Sequence, residues 1–166
     1  MKQTPTLRLV IASICATMAV LSSSPIAADQ RTADPFVGTW TLNVAKSKYS
    51  PGPPPKSATV VITTQNKIAT VMMDTVNAAG VASHWMYSAP ADGKDHPVTG
   101  NPDVDAVTLK QIDPRTVEVV QKKSGKATLT VRRAVSADGK TMTVTSTGRN
   151  AAGASVANVA VYERKS

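Results

Sequence analysis

One cysteine in 166 residues, Cys15, is all the thiol chemistry this chain carries, and it lies in an apolar N-terminal stretch. Aromatic residues make up only 4% of the sequence and there are two histidines, His84 and His96. These scarcities exclude whole classes of function. With a single cysteine there is no internal disulfide and no cysteine-rich metal site. Two histidines with no Gly-x-Ser-x-Gly, His-x-x-x-His or paired-carboxylate arrangement leave no recognisable catalytic constellation, so the chain reads as non-enzymatic and nothing points to a cofactor. Helical periodicity is also missing: from Phe36 onward no stretch repeats apolar residues every three to four positions.

The N-terminus is distinctive. "MKQTPTLRLVIASICATMAVLSSSPIAADQ" places Lys2 and Arg8 before an apolar run from Leu9 to Leu21, followed by small and polar residues. That is the layout of a secretory signal peptide, and the run is shorter than the ~20 apolar residues a bilayer helix needs. Cleavage is expected after Ala28, giving a signal peptide over 1–28, a single domain over 29–166 and a periplasmic or secreted destination. Ile14 stands directly before Cys15 where a lipoprotein site wants a small residue, which argues against a lipid anchor. The expected mature chain is then free of cysteine, and its stability must come from packing.

The chain carries 19 Lys and Arg against 11 Asp and Glu, a net charge of +8 that falls to +6 when Lys2 and Arg8 are removed. A basic exported protein is drawn to acidic ligands and anionic envelope surfaces. Nucleic acid is not implied, because there is neither a basic helix nor an aromatic platform in a basic groove.

What is present is a rhythm of short Val/Thr/Ile/Met-rich runs separated by turn signals, near 36–43, 57–65, 67–76, 80–88, 104–111, 115–122, 126–135, 139–147 and 155–163. They read as about nine strands. "NAAGV" (77–81), "DPR" (113–115), "KSGK" (123–126), "ADGK" (137–140) and "NAAGA" (150–154) supply the Asn, Asp, Pro and Gly of tight hairpins. The repeated Asn-Ala-Ala-Gly and Ala-Asp-Gly-Lys strings read as recurring turn solutions, with no solenoid period. Consecutive hairpins without crossovers favour an all-β, antiparallel up-and-down barrel of about 8–10 strands, which protects its own edges. Four prolines in 44–56 predict an extended strap there, with Tyr49 packed beneath it.

The opening "DPFVGTWTLN" (34–43) resembles the start of the first strand in the intracellular lipid-binding, or fatty-acid-binding, proteins of the calycin superfamily. "VEVVQKKSGKATLTVRR" (117–133) is similar to a Gln-Lys-x-x-Gly-Lys hairpin and Thr-Ile-Lys-Arg strand of that family, and "VAVYERKS" to its closing strand. The resemblance covers about a third of the mature chain, at both ends and in order. It implies a lipocalin-like barrel whose first and last strands pair, with Trp40 plugging its floor. Two features depart from the pattern. The proline-rich 44–56 segment replaces two short lid helices, and the family's Arg-x-Tyr carboxylate anchor reads Ala160-Val161-Tyr162, keeping only the tyrosine.

"ATLTVRRAVS" (127–136) raises the functional question. In a strand, neighbouring side chains point to opposite faces, so one of Arg132 and Arg133 must look inward. Alternation with Leu129, Val131 and Val135 selects Arg133. Counting without a gap from Gly125-Lys126 along the family pattern selects Arg132, and one extra hairpin residue restores Arg133. A buried guanidinium needs a carboxylate, carbonyls, water or a ligand anion. The candidate ligand-binding set is therefore Arg133, Tyr162 as the resemblance implies, and Trp85, which shares a face with Tyr87 as a possible cavity wall. The expected function is binding of a small amphipathic, anionic, lipid-like molecule inside a monomeric barrel. The alternative is a filled barrel whose outer surface or loops meet a protein or the envelope. Asp92, Asp95 and His96 cluster in "DGKDH", but their spacing fits neither a zinc nor an EF-hand pattern, and no metal site is assigned.

Overall fold

The computed structural model describes residues 34–150 and 152–165; the expected signal peptide over 1–28 lies outside the described residues. Ten strands follow one another. They are β1 (Gly38–Lys48), β2 (Ser57–Gln65), β3 (Ile68–Val76), β4 (Ala82–Pro90) and β5 (His96–Thr99). The second half supplies β6 (Ala106–Asp113), β7 (Thr116–Lys123), β8 (Lys126–Val135), β9 (Thr141–Arg149) and β10 (Ser155–Arg164). All neighbours pair antiparallel and the sheet closes on itself in the order β1-β10-β9-β8-β7-β6-β5-β4-β3-β2. The all-β, up-and-down barrel is thus present, with the first strand against the last: Trp40 faces Arg164 and Leu42 faces Tyr162 in the β1–β10 ladder.

The turns form for the reasons the sequence supplies. Asn66 and Lys67 (φ 51° and 65°) and Ser124 with Gly125 (φ 51° and 74°) make two-residue hairpins with both central residues left-handed, the geometry whose twist suits antiparallel strands. The two Asn-Ala-Ala-Gly strings fold alike. Asn77 and Asn150 each accept the Gly N–H on their carbonyl, donate their own N–H to the carbonyl four residues on, and bond that residue's N–H with their side-chain oxygen at 2.9 Å.

Two elements differ from expectation. The 90–103 connection contains a strand, His96–Thr99, that pairs through only two residues with each neighbour, so nine runs became ten strands. The first strand also continues past Asn43 to Lys48. Its register against β10 slips between Asn43 and Lys48, and Ser47 bridges the slip, its hydroxyl donating to Asn43 O and accepting the Val161 N–H. The strap is therefore shorter than 44–56. It begins at Tyr49, which packs against the core, and Ser50 is fastened to β10 through Asn158 and Ala157. No helix of the described residues is long and apolar enough to cross a membrane.

Alternation fills the interior. Trp40, Val60, Val71, Tyr87, Val107, Val119 and Met142 are fully buried, while Thr63, Asp74, Ser88, Lys110 and Arg132 face water. Arg164 packs across part of the barrel end at which the described residues begin and end. Its guanidinium stacks 4.2 Å from the Trp40 ring centroid and donates to the carbonyls of Gly139, Val37 and Pro35. Trp40 Nε1 donates to Phe36 O at 2.8 Å. Gly38 has φ 141°, a conformation residues with a side chain rarely adopt, and a Cβ there would lie 2.5 Å from Arg164 Nη1.

Candidate functional site

Arg133 points into the barrel and is 4% exposed, whereas Arg132 faces solvent. Val131 and Val135, two residues either side on β8, are buried with it, so the pleat itself drives the charge inward. Its Nη1 donates to the Tyr87 hydroxyl at 2.7 Å, and the guanidinium carbon lies 5.9 Å from the Tyr87 ring centroid. Trp85 stacks on Tyr87 with centroids 6.0 Å apart. No carboxylate pairs with Arg133 among the described residues. No sealed side-chain nitrogen or oxygen among them lacks a partner, so the remaining guanidinium donors open onto cavity space.

That space is a chamber of about 140 Å³ on the strap side of the barrel. Arg133, Trp85 and Tyr162 all line it, joined by Tyr49, Gln121 and Asn158. The three residues singled out from sequence thus share one cavity, although Arg133 bonds to Tyr87 and not to Tyr162. Tyr162 is buried on β10, with only β9 between it and the strand of Arg133. Burial chiefly, and the neighbouring Tyr49, raise its ionisation well above that of an ordinary tyrosine, while Arg133 pulls part of the way back. Burial likewise raises Tyr49. Both phenols are therefore hydrogen-bond donors at neutral pH, and with the guanidinium they give the chamber an anion-accepting polarity inside apolar walls.

Sequence reasoning missed two members of this arrangement. Alternation puts Tyr87 on the Trp85 face but assigns it no role, because its contact with Arg133 joins residues 46 apart in the chain. Tyr49 was expected beneath a strap but not as part of a cavity wall. Its isolation just before a proline cluster was the available signal, since a lone aromatic beside a stiff segment has to pack inward to be buried at all.

Elsewhere the polar clusters are spoken for. His96 bonds Asp92 at 2.9 Å and Asp95 pairs with Lys122 at 2.6 Å, so the "DGKDH" residues diverge. His84 and Asp74 form an exposed pair at 2.7 Å on the outer face. Among the described residues no three His, Cys, Asp or Glu side chains converge to hold a metal. No protein-family model matches the chain and no curated protein is similar to it.

Proposed function

We propose that this is an exported, monomeric, non-enzymatic barrel of the calycin type that binds a compact amphipathic anion in the chamber between Arg133, Trp85, Tyr162 and Tyr49. One observation carries the reading: a buried guanidinium with no carboxylate partner among the described residues, opening onto a cavity edged by two phenols. A charged group is costly to desolvate without a counter-charge, and a planar guanidinium with spare donors suits a carboxylate bidentately. Kinship to calycins is supported by the positions of the three resembling stretches, which fall on the first strand, the β7–β8 hairpin and the last strand of a closed barrel.

The volume narrows the ligand. A cavity of ~150 Å³ accepts benzene, and this chamber is about 140 Å³. An aromatic or small cyclic carboxylate suits it better than the long acyl chain that a lipid-like ligand would bring. The same volume favours a second reading, because ligand pockets commonly span ~300–1,000 Å³: a filled barrel working through its outer face against a protein or an anionic envelope surface. Isothermal titration with benzoate and with hexadecanoate separates the two. Saturable benzoate binding that Arg133→Met abolishes supports the chamber. No heat from either ligand, with a bare mass by native mass spectrometry of protein purified from its own compartment, sinks it.

A further inference from the structure

A second cavity, about 90 Å³, lies at the other end of the barrel, beside Asp34, where the described residues begin. Phe36, Leu109 and Val117 give it apolar walls, while Asp34, Thr64 and Gln111 add polar edges, the Asp34 carboxylate accepting from Thr64 Oγ1 at 2.7 Å and from the Phe36 N–H at 2.9 Å. Its space exists because Ala69 on β3, Ala89 on β4 and Ala91 just after β4 stand where larger residues would fill it. Lys67 stands at its exposed rim. Arg133 lines this cavity as well, and it is the one residue common to both linings. Arg133, held by its bond to Tyr87, thus borders both compartments and carries positive charge to both.

We propose that this smaller cavity is a second binding site, for a short aliphatic monocarboxylate, and that it competes with the strap-side chamber for Arg133. The inner walls offer dispersion and hydrophobic contact, and the Asp34 carboxylate in the lining is already engaged by Thr64 and the Phe36 N–H, so the ligand's body is a saturated chain. At a volume well below the ~150 Å³ that holds benzene, the chain has about four carbons. The carboxylate end is fixed by the only buried cation in the lining, Arg133. A guanidinium already neutralised by an anion in one compartment has less to offer an anion in the other, so binding at the two sites is mutually weakening. The inference rests on the reading of Arg133 as an anion anchor, but not on which compartment the principal ligand occupies.

Butyrate titrated into the full-length mature chain, with alanine methyl groups labelled for NMR, tests it. The Ala69 and Ala89 methyls should shift saturably. Ala91→Phe, at the exposed rim where an added ring leaves the core packing alone, should weaken butyrate by at least ten-fold. Arg133→Met should weaken it by roughly ten- to a hundred-fold, and Arg132→Met should not change it. Saturating benzoate should raise the apparent Kd for butyrate. Butyrate that shifts only the Ala160 methyl on the strap side, that binds equally well to Ala91→Phe, or that fails to saturate overturns the proposal. Should butyrate bind at Ala69 and Ala89 while benzoate binds nowhere, the strap-side reading falls and the site in the smaller cavity stands. Should Arg133→Met fail to fold, Ala91→Phe alone decides between the outcomes.

Discussion

The Arg133 guanidinium reaches across the barrel to donate to the Tyr87 hydroxyl at 2.7 Å, from β8 to β4, strands separated in the closed sheet by β5, β6 and β7. The bond spans the lumen and holds the charge in place without neutralising it. A neutral partner has a consequence for stability. Arg133→Met leaves a hydroxyl without its donor, at a cost of about 1–3 kcal/mol, and strands no carboxylate, which would cost ~3–5 kcal/mol. Urea unfolding should show the smaller loss, with Arg132→Met within about 0.5 kcal/mol of the parent. A loss above ~4 kcal/mol in Arg133→Met would mean the arginine has an acidic partner after all.

The two Asn-Ala-Ala-Gly hairpins make equal and separate predictions. Asn77→Ala and Asn150→Ala each remove one side-chain bond to the backbone, of 2.9 Å, from otherwise matching loops. Each should cost ~1 kcal/mol. The loops share no hydrogen-bond partner, so the double variant should lose the sum within ~0.5 kcal/mol. Markedly unequal single losses, read by thermal melting, would show that the loops depend on their surroundings more than on their common sequence.

Legibility followed locality. The inward turn of Arg133 was readable because alternation is a property of neighbours, and Val131 and Val135 flank it. The Asn loops were readable because every bond in them closes within five residues. His96–Thr99 was not: four residues, one of them Pro97, cannot display a period, and the strand exists because the edges of β4 and β6 need a partner. The extension of β1 to Lys48 was hidden for a related reason, since a serine hydroxyl stands in for ladder bonds across the register slip. The chamber was legible only in part. Trp85, Arg133 and Tyr162 could be named from strand faces and resemblance, but the Arg133–Tyr87 bond and the second cavity depend on how the barrel wraps.

Tyr162 predicts an alkaline limit to stability. Its ionisation in the folded protein is raised above the ordinary tyrosine value of 10.0, mainly by burial. Above pH 10 the unfolded chain loses this proton while the folded one keeps it, so the folded state binds more protons and stability falls as pH rises. The contribution is fully present below pH 10. Denaturant midpoints between pH 9 and 11.5 should decline in the parent and decline less steeply in Tyr162→Phe. Ultraviolet titration of the folded protein should show Tyr162 absent from the first tyrosinate to appear. Identical slopes in parent and variant would place the Tyr162 phenol in contact with water.

The Arg164 end of the barrel yields the most specific prediction, because three residues share one small space. Gly38 has φ 141°, a conformation that strains a residue with a side chain by ~1–3 kcal/mol, and a Cβ there would meet Arg164 Nη1 at 2.5 Å. Gly38→Ala therefore costs its backbone strain and also displaces the guanidinium from Trp40 and from the carbonyls of Pro35 and Val37. Arg164→Ala alone loses the cation–π contact, about 0.5–2 kcal/mol, and charge-assisted bonds worth about 1.5–3 kcal/mol. Once Gly38→Ala has moved the guanidinium, removing it costs less. The double variant should accordingly be more stable than the sum of the single losses predicts, by ~1–2 kcal/mol, and either single variant should shift Trp40 emission toward that of a wetter indole. Strict additivity in the cycle, with Trp40 emission unchanged in Arg164→Ala, would mean that in solution the guanidinium does not lie between Gly38 and the indole, and that the glycine is required by backbone conformation alone.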